Sequence, residues 1–215
     1  MIVSKGKNQF QDNKYSFWEW SAPVLQTPEE VMEKVKELKL EGRVIKDIVA
    51  VGFGYDIEEC LEVSGSDKIQ KKACVVTIDE PLLIEFEDGD VLGMNFSEGS
   101  CVRMELNTLP LTLQAGVNQK NFNANRLFSR CIGDRIMSVE VGVTTMFPEF
   151  TGSYGLDLDE EQPWFVSSVS FTLRPEWRSL NFHPYFDYGI VALKDSSGKK
   201  LCLCENEIKA VVEGF

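Results

Sequence analysis

The chain has 215 residues, 43% hydrophobic and 26% charged, a balance suited to a globular domain that buries roughly 70% of its unfolded surface and needs no metal or cross-link to fold. Acidic side chains outnumber basic ones 34 to 22, giving a formal net charge of -12, which excludes a nucleic-acid binder relying on Lys and Arg at phosphates. No run of ~20 apolar residues exists for a membrane span, and Met1 to Tyr15 holds no apolar block of signal-peptide type, so the expected location is cytoplasmic.

Tyr15, Phe17, Trp18 and Trp20, close to Ala22-Pro23, predict an extended arm laid on the body. Thr27-Pro28-Glu29-Glu30 is a capping box, with Thr27 as N-cap, Pro28 in the first helical position and Glu30 reciprocating. A helix over 28–41 follows, with Val31, Val35 and Leu38 on its apolar stripe, Met32 widening it, and Gly42 as left-handed terminator.

From Val44 to Val51 the period becomes strand-like, and the β-branched content predicts a half-buried or central strand. Gly52-Phe53-Gly54 lacks the third glycine and the phosphate-binding helix of a dinucleotide loop, so it reads as a strand end or bulge. Lys68, Lys71 and Lys72 form the one basic knot, read as a solvated turn before a short strand from Ala73 to Ile78. Leu82 to Glu87 and Val91 to Ser97 flank Asp88-Gly89 and predict a hairpin. Ile84, Phe86, Leu92, Met94 and Phe96 fall on one face, leaving Glu85, Glu87 and Asn95 on a face expected to be wet. After a turn at Glu98-Gly99-Ser100, Val102, Met104 and Leu106 extend the same sheet by a third strand.

Residues 107–123 read as a crossing loop. Asn123 or Asn125 then caps a short helix through about Ile132, with Leu127, Phe128, Cys131 and Ile132 inward and Gly133 ending it. Met137 to Phe147 alternates through Val139, Val141 and Val143, and Pro148 closes it. An acidic loop at 157–161 precedes a strand from Phe165 to Arg174 with Val169, Phe171 and Leu173 inward. Strands at about Gly189 to Lys194 and Lys200 to Glu205 are joined by Asp195-Ser196-Ser197-Gly198. Strands outnumber helices and do not alternate with them. The prediction is therefore a single α+β domain over 1–215, β-rich and antiparallel, meander or sandwich-like, with an N-terminal helix and a short middle helix.

His183 is the one histidine, which removes metal sites that need two imidazoles. It lies in an aromatic, loop-like stretch where Trp177, Arg178, His183, Tyr185 and Asp187 could line a pocket for a flat or sugar-like ligand. A strand connection packed on the core accounts for the same residues. The six cysteines, at 60, 74, 101, 131, 202 and 204, read as reduced, packed thiols, since Cys202 and Cys204 lack the second pair a zinc site requires. The carboxylate groups Glu85/Glu87/Asp88/Asp90 and Asp157/Asp159/Glu160/Glu161 have oxygen ligands but not the EF-hand spacing. No metal and no cofactor is expected.

The absence of catalytic motifs, the lone histidine and the charge point to a non-catalytic binding or protein-interaction domain whose acidic surface suits a basic protein; toxin-neutralising immunity is one example of that class. The alternative is a carboxylate-dependent enzyme acting on a sugar or other small molecule. A homodimer joined through an exposed strand or aromatic patch is a third reading.

Overall fold

Local signals and strand alternation build two antiparallel sheets around one apolar interior in a computed structural model that describes residues 22–50, 61–64, 72–78, 82–97, 101–108, 128–144, 165–185 and 188–204. The elements are α1 (Pro28–Leu38), β1 (Ile45–Ala50), β2 (Leu61–Ser64), β3 (Lys72–Ile78), β4 (Leu82–Phe86), β5 (Val91–Ser97), β6 (Cys101–Leu106), β7 (Arg135–Thr144), β8 (Phe165–Arg174), β9 (Arg178–Tyr185), β10 (Tyr188–Lys194) and β11 (Leu203–Cys204). The expected α+β, β-rich antiparallel class is what forms, in its sandwich-like version. The expected N-terminal arm, the glycines at 52–54, the turn at 98–100, most of the crossing loop and the acidic loop lie outside the described residues.

The capping box forms as read. Thr27 Oγ1 accepts from the Glu30 N–H at 3.3 Å, while Glu30 Oε2 accepts from the N–H groups of Thr27 and Gln26 at 3.1 and 2.7 Å. The helix stops at Leu38, short of residue 41, because Lys39 itself takes the left-handed cap at φ 48°. Val31 and Leu38 are buried and Val35 packs on the core, but Met32 is 38% exposed and does not widen the buried stripe.

One sheet runs β1-β4-β5-β6. β1 is therefore an edge strand, not a central one. The hairpin turns at Asp88-Gly89, where Gly89 supplies a φ of 94°, and Met94 pairs with Leu82 on one side and Met104 on the other. Ile84, Phe86, Leu92, Met94 and Phe96 all face the interior. The reverse face departs from expectation: Glu87 is exposed, but Glu85 and Asn95 are only 6% and 5% exposed. Among the described residues Glu85 Oε2 and Asn95 Oδ1 find no hydrogen-bond partner, and their burial means that this face is not the wet surface that alternation predicts.

The larger sheet runs β11-β3-β10-β9-β8-β7, with β2 also on β3. It packs on the first through Phe182, whose ring lies 6.3 Å from Phe96 and 5.2 Å from Phe171. The approach is close enough that a Cβ on Gly189 would fall 2.3 Å from Phe96 Cδ2. β8 buries Val169, Phe171 and Leu173 as read. The middle helix is represented by a 3-10 turn, Ser129–Cys131, with Phe128 and Cys131 buried; Ile132 is 37% exposed, not inward, and the helix's earlier residues lie outside the described set. The loop Asp195 to Gly198 turns as expected, but the returning chain reaches β3 as well as β10. There Cys74 and Cys202 form a disulfide across a sequence separation of 128. This corrects the expectation of reduced thiols at those two positions. Cys131 is a buried thiol outside any disulfide. No helix among the described residues is long and apolar enough to cross a membrane.

Candidate functional site

The aromatic stretch expected to line a pocket is mostly strand. Leu180, Phe182 and Pro184 alternate into the core as the inner face of β9, while Asn181 and His183 face the other way. Trp177 sits in the turn before β9, 49% exposed at φ 53°, with the Arg174 guanidinium 3.9 Å from its ring centroid. Arg178 donates from Nη1 to the Arg130 carbonyl and, at 3.2 Å, to Asp134 Oδ2. Asp134 is 4% exposed, and burial raises its carboxyl pKa against the opposing pull of Arg178. That pair clamps the 3-10 turn to β9.

His183 lies five residues further along, about 16 Å at strand rise and on the opposite face. Its Nδ1 meets the Ser167 carbonyl at 3.1 Å, and since a carbonyl only accepts, Nδ1 carries the proton. Burial lowers its pKa, assisted by Lys194 and Lys200. The structure thus sets Trp177 and Arg178 apart from His183 along β9. The Tyr185 side chain and Asp187 lie outside the described residues.

The other chemistry-bearing groups are also engaged. Asp88 and Asp90 both hold Arg43 Nη1, at 2.9 and 2.6 Å, and Asn107 Nδ2 donates to Asp90 at 2.9 Å. The hydrogen bonds from Asn107 and then Arg43 keep the Asp90 carboxyl below its ordinary range. Burial, helped by Asp134, pushes the Cys131 thiol up to about 12, so it stays protonated and is no nucleophile at neutral pH. Among the described residues, no cluster of three or more His, Cys, Asp or Glu could hold a metal ion.

What the fold does create is a groove of about 620 Å³ between α1 and β7. Its floor is apolar, from Met32, Val35, Leu40, Val139 and Val141, and Lys36, Lys39 and Glu41 also line it. β7 is the last strand of its sheet. Its outer edge is paired only at the start, where Ile136 exchanges backbone bonds with Gly42 and Arg43 at 2.8 and 2.9 Å. From Met137 to Val143, no backbone bond from another described residue is seen on that edge. Met137 and Val143 are 39% and 44% exposed, whereas alternation over this strand predicts Val143 inward. Sequence reasoning missed this site because a free edge and a groove depend on what neighbours a strand, which no local pattern encodes.

No protein-family model, curated protein or solved structure matches this chain.

Proposed function

We propose that this protein is a non-catalytic binding domain and that it binds through the groove between α1 and β7. The observation that carries this reading is a strand edge that no described residue pairs from Met137 to Val143, lying beside an apolar groove. Sheet edges that meet only water are ordinarily blunted by charge, proline or cover, yet from Met137 to Val143 only Glu140 is charged. Three of the six large hydrophobic side chains exposed among the described residues, Met32, Met137 and Val143, belong to α1 or β7.

The overall charge of -12 still suits a basic partner over the surface at large, though the groove itself carries two lysines against one glutamate. The Cys74–Cys202 bond is of the kind that oxidising compartments preserve, so the binding role is not tied to the cytoplasm. The test is a photo-reactive side chain placed at Met137, compared with one at Trp177, which is somewhat more exposed and lies outside the groove. Cross-linking to a discrete species from Met137 alone supports the reading. Equal labelling from both positions, or none from Met137, refutes it.

A further inference from the structure

The backbone of β7 fixes how an occupant would be held. Ile136 donates its N–H to Arg43 and accepts from Gly42, so both its backbone groups point away from β8. Antiparallel residues alternate in this direction, and the register shifts by one residue between Ile136 and Ser138 and again between Gly142 and Val143, where the extra residue, Ser167, is on β8 and leaves the alternation along β7 unchanged. The N–H and C=O groups of Val139, Val141 and Val143 therefore point outward too, while Glu140 and Gly142 bond to β8. Val139 and Val141 also line the groove. A strand laid along this edge would exchange backbone bonds with the valines and send every second side chain into the groove.

The charges decide between occupants. Pairing β7 with a second copy of itself would bring to the seam only the same groove charges again, two lysines, Lys36 and Lys39, against one glutamate on each side. Neither lysine has an acidic partner among the described residues, unlike Lys34 on the same helix. A polyanion fails for the opposite reason, because a long run of phosphates must also pass within the roughly 8 Å over which charges act through salt of a chain whose net charge is -12, and is repelled there. Resting on the binding reading above, we propose that β7 accepts an added strand from a partner protein, an extended segment apolar at alternate positions with carboxylates facing Lys36 and Lys39.

The probe is a synthetic peptide alternating valine and threonine and carrying two aspartates, compared with the same peptide carrying lysines. Amide hydrogen exchange of the full chain reads the result residue by residue. In the free protein, Val139, Val141 and Val143 should exchange fast and Glu140 and Gly142 slowly; with the aspartate peptide, the valine amides should become protected. The lysine peptide, and the aspartate peptide on a Lys36→Glu/Lys39→Glu variant, should each bind about tenfold more weakly, as expected for a few modest charge contacts. Equal binding of both peptides overturns the acidic partner but leaves the groove reading standing. Valine amides already protected in the free protein overturn both.

Discussion

β6 and β7 each end a sheet, α1 reaches both, and each edge carries one isolated backbone bridge, yet what accompanies that bridge differs. At β6, Leu25 and Val102 exchange backbone bonds at 2.8 and 3.0 Å, and Lys34 crosses to Glu105 at 2.6 Å. At β7 the bridge lies at Arg135, and no described residue pairs with the edge from Met137 to Val143. The far end of the larger sheet is finished a third way, by the Cys74–Cys202 disulfide. A strand edge that meets only water exposes a chain to aggregation, so the stretch of β7 that no described residue pairs is the one whose exposure needs a use.

The largest effect expected from undoing a finished edge lies at the disulfide. Closing a loop across 128 residues restricts the unfolded chain by about 5 kcal/mol in the chain-entropy account. A Cys74→Ser/Cys202→Ser variant should lose stability of that order in urea unfolding, with the slope changed as the unfolded chain expands. A loss below about 1 kcal/mol would mean that strand pairing, not the cross-link, holds this end.

Next in size is Val102→Thr. Val102 is fully buried where β6 meets Leu25, and a hydroxyl placed there without a partner costs about 1–3 kcal/mol. Thermal unfolding would show it. A neutral result would mean that the β6 edge is open to water, and the contrast with β7 would collapse.

The elements that were legible in the sequence explain why these edges were not. Thr27 to Glu30 and Asp88-Gly89 act through neighbours in the chain, so their patterns survive in one dimension. The inward alternation of β8 is equally local. β9 was legible in principle, since Leu180, Phe182 and Pro184 alternate with Ser179, Asn181 and His183, but its aromatics and proline imitate a loop. Burial of Glu85 and Asn95 follows from what covers the outer face of a sheet, and pairing of Cys74 with Cys202 from strands far apart in sequence. The groove belongs to the same class: Met32 looks like core until the helix is set beside β7, where it becomes lining.

Lys34 tests the closed side of α1. Burial draws its pKa down, but the hydrogen bond and charge of Glu105, with Glu37 behind, more than reverse this and hold it above the ordinary 10.5. A lysine raised on folding contributes its full stabilisation below its unfolded pKa and loses it as pH climbs through the folded value. Lys34→Met should therefore cost about 1–2 kcal/mol at neutral pH, between the ranges for exposed and buried pairs. The gap between variant and parent should close above pH 10.5. A gap that stays constant across that range would assign the loss to packing of the lysine stem and not to its charge.

The smallest effect is the most informative about β7. Val143 is 44% exposed at the open edge, so Val143→Thr buries no hydroxyl and should change stability by no more than about 0.5 kcal/mol. The substitution keeps β-branching, and with it the preference for strand geometry. Paired with Val102→Thr, it makes the same chemical change at two edges and differs only in what lies beyond them. The two unfolding midpoints should separate clearly, whereas equal losses would place a cover over Val143 and leave no room for an added strand. Binding of the aspartate peptide should survive Val143→Thr, because the contact at that residue runs through its backbone N–H and C=O, which the substitution leaves in place.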